Sequence, residues 1–298
     1  MKTIDCLCFG ACVVDEMEET GALSLGGDAA NQAVMISKLG LTAQLCALTG
    51  KDSSGEWIAQ KLKQSHLSTE TLIQKENLIT THSLIHLDQN RERSFTVTGK
   101  AHREMRKDDF PMHLLHNCRA ISLGSMFTLH HLEEDGLKEI FHAAKEAGCL
   151  TFSDTSTDRH CKGLKKVSEF LPLIDYFMPS YDEAVLLTGF TNPDEIADCL
   201  LLSQAQCVIL KLSNQGAVLY RKGQKIYVPA FSADVVDTTG AGDNFCAGFI
   251  ASLLSGLTEQ QALINACWMG ARAVEQYGTS ASLFRPLPYS LDIQKAEE

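Results

Sequence analysis

Apolar residues recur along this chain in two alternating textures. Short, near-continuous apolar runs (IDCLCFG, AQLCALTG, RAISLG, CLTFSD, IDYFMP and CVILKLS) read as strands buried on both faces. Between them lie segments with a helical period: Ala29 to Leu39, Ser54 to Ser65, Leu132 to Ala147, Asp182 to Thr188 and Pro193 to Ser203. Ala241 to Ser255 and Glu259 to Gln276 read as two successive closing helices. This alternation predicts an α/β fold built from βαβ units around a mostly parallel sheet.

Two segments break the alternation, MEETGALSLGG and THSLIHLDQNRERSFTVTGK. The second carries a hairpin-like DQNRER turn and alternates apolar with polar residues over Ser83 to Leu87 and Phe95 to Val97, as a half-exposed sheet does. Both are expected to form a small β-sheet lid, about residues 16–27 and 78–104, inserted in a single domain spanning 1–298. A chain of 298 residues buries a sizeable core. No repeat, linker or low-complexity segment interrupts it, apart from a charged tail, DIQKAEE, that is expected to fray.

Charge narrows the range of partners. With 37 acidic against 26 basic residues the net charge is −11, and no run of lysine and arginine could track a phosphate backbone, so nucleic acid is excluded. The opening MKTIDCLCFGACVVDEMEE meets Asp15 and a cluster of glutamates without an A-x-A-like cleavage site. No segment approaches roughly 18 uninterrupted apolar residues, so the expectation is a soluble, cytoplasmic protein with no membrane partner. The eleven cysteines are scattered through apolar runs without a C-x-x-C pair and read as reduced core residues. Among the ten histidines, His113, His116, His130, His131 and His142 lack metal-ligand spacing.

Candidate chemistry concentrates in VVDTTGAGDNFCAGFIASLL, Val235 to Leu254. Val235 and Val236 end an extended segment, Asp237-Thr238-Thr239 opens a turn, and Gly240-Ala241-Gly242 frees the backbone where a helix begins near Asp243. Unpaired N–H groups and the positive end of the helix dipole make such a turn a site for phosphate or another oxyanion. The same dipole favours an ionised Asp243, placed to take a proton from a hydroxyl attacking phosphorus. On the residues alone, an N-cap role for Asp243 stands beside that reading. A Rossmann fingerprint fits less well, since Phe245 occupies the third glycine position and the segment is far from the N-terminal βαβ unit.

DTTGAGDNFCAGF resembles the second signature of the ribokinase-like, or PfkB, carbohydrate kinases, which reads D-T-x-G-A-G-D. Their first signature is matched by GGDAANQAVMISKLGLTAQLCALTG, with Gly26, Gly27, Asn31, Gly40 and Gly50 in register. The resemblance covers nearly the whole chain, including PSYDEAVLLTG and the lid insertions. It implies a ribokinase-like three-layer αβα fold with a small β-sheet lid. It also implies ATP-dependent phosphorylation of a hydroxyl of a sugar or sugar acid, with magnesium.

Carried over residue by residue, the resemblance makes Asp243 the base and the amides of Gly240, Ala241 and Gly242 the anion hole. Gly27, Asp28 and Asn31, with Asp15, would hold sugar hydroxyls. Read from the residues alone, Asp28 also fits a helix cap, whereas asparagine is a mediocre helix former at Asn31. Ribokinases proper read G-G-K-G-A-N, so Asp28 and Ala29 point away from ribose itself. Arg159, in FSDTSTDRH, falls where several relatives set an arginine against a substrate carboxylate, and its planar fork suits an acid sugar. Lys100, His102 and Arg103 are further sources of positive charge.

In the middle segment the family shows asparagine, two residues, then glutamate, ordering magnesium-bound water. Here Ser180 departs from that pattern and Glu183 matches it. CVILKLSNQGAVLY would bring Lys211, Ser213 and Gly216 to the nucleotide, with Asn265 and Cys267 at the adenine wall. Asp237, Thr239, Ala273, Gln276, Gly278 and Ser282 occupy positions that hold a monovalent cation, potassium, in many relatives. A homodimer through the lid is also implied. A nucleoside kinase of the same fold, a non-catalytic sugar- or nucleotide-binding protein and a dehydrogenase are the alternatives; the intact DTTGAGD argues against a mere sensor, which needs no base.

Overall fold

In the computed structural model, which describes residues 2–87, 93–157, 163–276, 278 and 286–291, the apolar runs become strands and the periodic segments helices. The strands are β1 (Ile4–Phe9), β2 (Val13–Met17), β3 (Ala22–Gly26), β4 (Ala43–Gly50), β5 (Leu72–Lys75), β6 (His82–Leu87), β7 (Arg93–Thr98), β8 (Cys118–Met126), β9 (Leu150–Thr155), β10 (Tyr176–Phe177), β11 (Val208–Lys211), β12 (Ala217–Arg221) and β13 (Gln224–Val228). The helices are α1 (Asp28–Lys38), α2 (Ser53–Gln64), α3 (His130–Asp135), α4 (Leu137–Glu146), α5 (Gly163–Val167), α6 (Tyr181–Thr188), α7 (Pro193–Leu202), α8 (Ala241–Leu254) and α9 (Glu259–Ala273).

Nine strands form one sheet in the order β13-β12-β11-β10-β9-β8-β1-β4-β5. It is parallel from β5 to β11, and antiparallel β12 and β13 close one edge. Both faces are covered, which is why the central strands read as unbroken apolar runs. Along β1, Cys6 and Cys8 point into a core shared with α1, α2, α8 and α9. Leu7 and Phe9 point into the opposite core, with α3 to α7, where Phe9 meets Phe110 and Phe141 edge to face. The described cysteines are free thiols, and all but Cys199 are buried. No described helix is long and apolar enough to cross a membrane.

The lid is a second sheet, ordered β3-β2-β6-β7. Along β6, Ser83 and Ile85 are buried while His82, Leu84 and His86 are half-buried, the alternation expected of a sheet with one wet face. Most of the DQNRER turn lies outside the described residues.

Several features depart from the sequence expectations, among them β12 and α5, which form where no element is expected. The helix expected over Leu132 to Ala147 is two helices, broken at Gly136, where an added Cβ would lie 2.7 Å from the Cβ of Lys107. Strands β5 and β13 carry no continuous apolar run because each sits at an edge and is only partly buried.

Strand order reverses at β1, flanked by β4 on one side and β8 on the other. A crevice outside the carboxyl ends of the strands is the general consequence of such a reversal. The start of α1 packs into this point: an added Cβ on Gly124 would lie 2.6 Å from the amide nitrogen of Ala29, and one on Gly10 would lie 2.2 Å from the Gly124 carbonyl oxygen.

Candidate active site

The turn after β13 delivers the chain to α8 through Gly240, which adopts a left-handed conformation (φ 74°) and is the N-cap. Asp243 is therefore the third residue of the helix and not its cap, and no side chain caps α8. The Gly240 carbonyl accepts from both the backbone N–H and the side-chain amide of Asn244. An added Cβ on Gly242 would have a single neighbour within 4 Å, Lys211 Nζ at 3.5 Å. The first turn of α8 thus opens onto space.

That space is a cavity of about 590 Å³ walled by Asp28, Asp154, Glu183, Lys211, Ser213, Gly240, Gly242 and Asp243, among others. The Asp243 carboxylate accepts a 2.7 Å hydrogen bond from Asn31 Nδ2, across the contact between α1 and α8. Burial pushes Asp243 up to about 6, reinforced by the charges of Asp154 and Asp15 and opposed by Asn31 and Lys211. Desolvation, which the sequence reading left out, moves the group toward neutrality, yet at neutral pH the anion predominates, as expected.

Across the cavity, Asp28 is the first residue of α1 and makes no cap hydrogen bond; Ser125 Oγ donates to its Oδ2 at 2.7 Å. Burial first, then the charges of Asp243 and Asp154, hold Asp28 well above the usual carboxylate range. Asp15, on β2, lies against Gly26, where an added Cβ would be 2.0 Å from its Oδ2.

Glu183 Oε2 accepts from the Ser180 amide at 2.9 Å and from Thr155 Oγ1 at 2.8 Å, while the Ser180 hydroxyl accepts from the Glu183 amide. Ser180 and Glu183 thus form the capping box of α6 at the cavity edge. Glu183, Asp182 and Ser156 present oxygens there, the donor type magnesium takes. Among the described residues no group of three or more His, Cys, Asp or Glu could hold an ion unaided.

Sequence reading missed Asp154. It lies 3 % exposed near the end of β9, with its two oxygens 2.7 and 2.8 Å from Lys211 Nζ. Its signal was its position at the carboxyl end of a predicted strand, where open α/β sheets place ligands.

Asp237 accepts from the amides of Thr239 at 2.8 Å and Gly278 at 3.1 Å, and its own amide donates to Val274, so the turn meets the loop carrying Gln276 just after Ala273. Arg159 and Ser282 lie outside the described residues. Ser213 lines the cavity, whereas Gly216 (φ 97°) shapes the hairpin, its added Cβ falling 2.1 Å from the Val228 carbonyl oxygen. Cys267, buried on α9, faces the Val228 carbonyl, and the Asn265 amide is engaged by Ser252 and the Tyr289 backbone; neither walls the cavity. Nor do Lys100, His102 or Arg103. His102 bonds Thr81, and burial, with the Arg103 and His130 charges, lowers it to about 4, so it supplies no positive charge at neutral pH.

Residues 6–285 match the pfkB family carbohydrate kinase profile. The ribokinase of Staphylococcus aureus is 26% identical over 278 residues, covering 90% of this chain and 87% of its own. The probable fructokinase-5 of Arabidopsis thaliana is 26% identical over 317 residues, covering 96% and 95%. Among solved structures, a putative ribokinase II from E. coli in complex with ATP and Mg²⁺ has the same fold, with a TM-score of 0.81 at 22% identity over 93% of this chain and 94% of that one. With the profile spanning most of its length and the fold shared, the chain belongs to the pfkB family of carbohydrate kinases.

Proposed function

We propose that this carbohydrate kinase transfers the γ-phosphoryl group of ATP to a hydroxyl of a sugar or sugar acid, with Asp243 as general base. One observation carries the reading: a buried carboxylate, oriented by Asn31, stands in the uncapped first turn of a helix that opens onto a cavity. The sugar oxygen attacks the γ-phosphorus, forming the new O–P bond as the bond to the β-phosphate oxygen breaks. ADP leaves with that electron pair, and the hydroxyl proton passes to Asp243. A base titrating at about 6 is ionised at neutral pH without being too weak to accept the proton.

Amides of Gly240, Ala241 and Gly242 receive the charge that develops on the moving phosphoryl oxygens. Glu183 would hold magnesium through water beside the ATP phosphates, and the metal would supply charge neutralisation there. Lys211 and Ser213 face the phosphates, and Asp15, Asp28 and Asn31 hold the sugar. A substrate carboxylate would need a cation near these acids, and Arg159 is the candidate. Potassium beside Asp237 would brace the turn. Lid closure excludes water, which otherwise competes as acceptor. The exposed Leu23 and Val97 of the lid support a homodimer through that sheet. An acidic chain rich in free thiols suits the reducing cytoplasm.

The test is ADP release with Mg·ATP against a panel of sugars, sugar acids and nucleosides. Turnover with a sugar or sugar acid is expected. Turnover confined to nucleosides, or thermal protection by ATP without turnover on any acceptor, would sink the proposal.

A further inference from the structure

Asp154 near the end of β9 and Lys211 at the end of β11 bring opposite charges to one wall of the cavity, from strands on either side of β10. The pair is almost dry: Asp154 is 3 % exposed and the Lys211 side chain 13%. Both Asp154 oxygens take the ammonium, and the carboxylate is itself fixed by the Thr155 amide at 2.8 Å and the Cys246 thiol at 3.3 Å. The ammonium so held stands 3.5 Å from the point where Gly242 would carry a Cβ, against the first turn of α8. Desolvating two charges is costly, and apolar residues would serve packing alone at least as well.

Building on the kinase reading above, we propose that Asp154 is a positioning residue, whose carboxylate fixes the Lys211 ammonium in front of the α8 first turn, where it meets the transferred phosphoryl group. Lys211 is suited to this, because the neighbouring Asp154 charge overcomes burial and raises its pKa above the ordinary range. The pair also acts on the base. The groups around Asp243 are Asn31 and Asp28 from α1, Asp15 from β2, Asp154 from β9, Lys211 from β11 and Cys246 from α8 itself. Glu183, from α6, acts on Asp28, Asp154 and Lys211. Among these, Asp154 pushes Asp243 up and Lys211 pulls it down.

Asp154→Asn and Lys211→Met therefore separate positioning from packing. Each is expected to lower kcat about 10- to 100-fold through misplaced charge. The Asp243 titration, read by carboxyl NMR and by the acid limb of the pH–kcat profile, should move in opposite directions, on the order of one pH unit down in Asp154→Asn and up in Lys211→Met. The double variant, which removes both charges and so avoids a stranded buried ion, should fold and match Lys211→Met. An unmoved Asp243 titration, a double variant much slower than Lys211→Met, or an Asp154→Asn defect abolished by excess Mg²⁺ would overturn the positioning role. The NMR titration needs no substrate, so wild-type protein that turns over no acceptor refutes the kinase reading separately.

Discussion

Two glycine-bearing turns open the two helices that meet at the cavity, GGDAAN into α1 and TTGAGD into α8, and glycine serves opposite purposes in them. Before α1 there is no room: an added Cβ on Gly27, already at φ 93°, would fall 2.4 Å from the Ala11 carbonyl oxygen, and one on Gly26 would strike the Asp15 carboxylate. In α8, only Gly240 sits in the left-handed region, while Gly242 has ordinary backbone angles and a nearly empty neighbourhood. The first turn needs glycine to close the fold. The second needs it at Gly242 only if something else comes to the backbone. The two turns are joined by the hydrogen bond from Asn31 to Asp243, so in the proposed reaction the α1 turn would orient the base in α8.

The largest effect expected is on the base. Asp243→Asn should keep the fold and lower kcat by roughly 10² to 10⁴ or more, measured as ADP release. In the wild type, kcat/KM should fall about tenfold per pH unit below about 6, as the base becomes protonated. The stability effect has the opposite sign to a paired carboxylate. Burial raises the folded pKa from 3.8 to about 6, so the folded state binds the extra proton and stability falls as pH rises through that window. Asp243→Asn removes this term and should raise Tm at pH 7. A lower Tm with near wild-type turnover would assign Asp243 to structure and erase the contrast between the turns.

Substituting the glycines tests the contrast directly. Gly27→Ala should cost about 2 to 4 kcal/mol in denaturant unfolding, from a positive φ and a backbone clash. Gly242→Ala should leave stability unchanged or improve it by about 0.5 kcal/mol. It should nonetheless lower kcat/KM for ATP about 10- to 100-fold, because the methyl group fills the approach to the helix amides. If Gly242→Ala binds and turns over ATP normally, no anion reaches that turn.

Much of this is legible in the sequence. The central strands announced themselves because burial on both faces leaves few polar positions, and the lid because its wet face alternates. Both signatures are local, so their glycines and Asp243 could be read in sequence. What escaped depends on contacts between distant segments. Asp154 is one aspartate at a strand end until Lys211, two strands over, is placed on it. The break at Gly136 reflects the close approach of Lys107, which no helical period encodes. The shift of Asp243 escaped likewise, since besides burial its causes include the Asn31 amide on α1 and the Asp154 charge on β9.

The smallest expected effect concerns Asp237, and it separates the two turns once more. Asp237 is 6 % exposed and spans the turn before Gly240 and the loop after α9, taking one amide from each. A monovalent cation beside it would stiffen the α8 turn and leave the α1 turn untouched. Replacing potassium with tetramethylammonium at constant ionic strength should therefore lower kcat or raise KM for ATP roughly fivefold, at the low end of site-to-site coupling, with KM for the sugar unchanged. Asp237→Asn should abolish that difference. Equal rates in the two cations would leave Asp237 as a brace for the turn alone, and a change confined to the sugar KM would place the cation's influence at α1 instead.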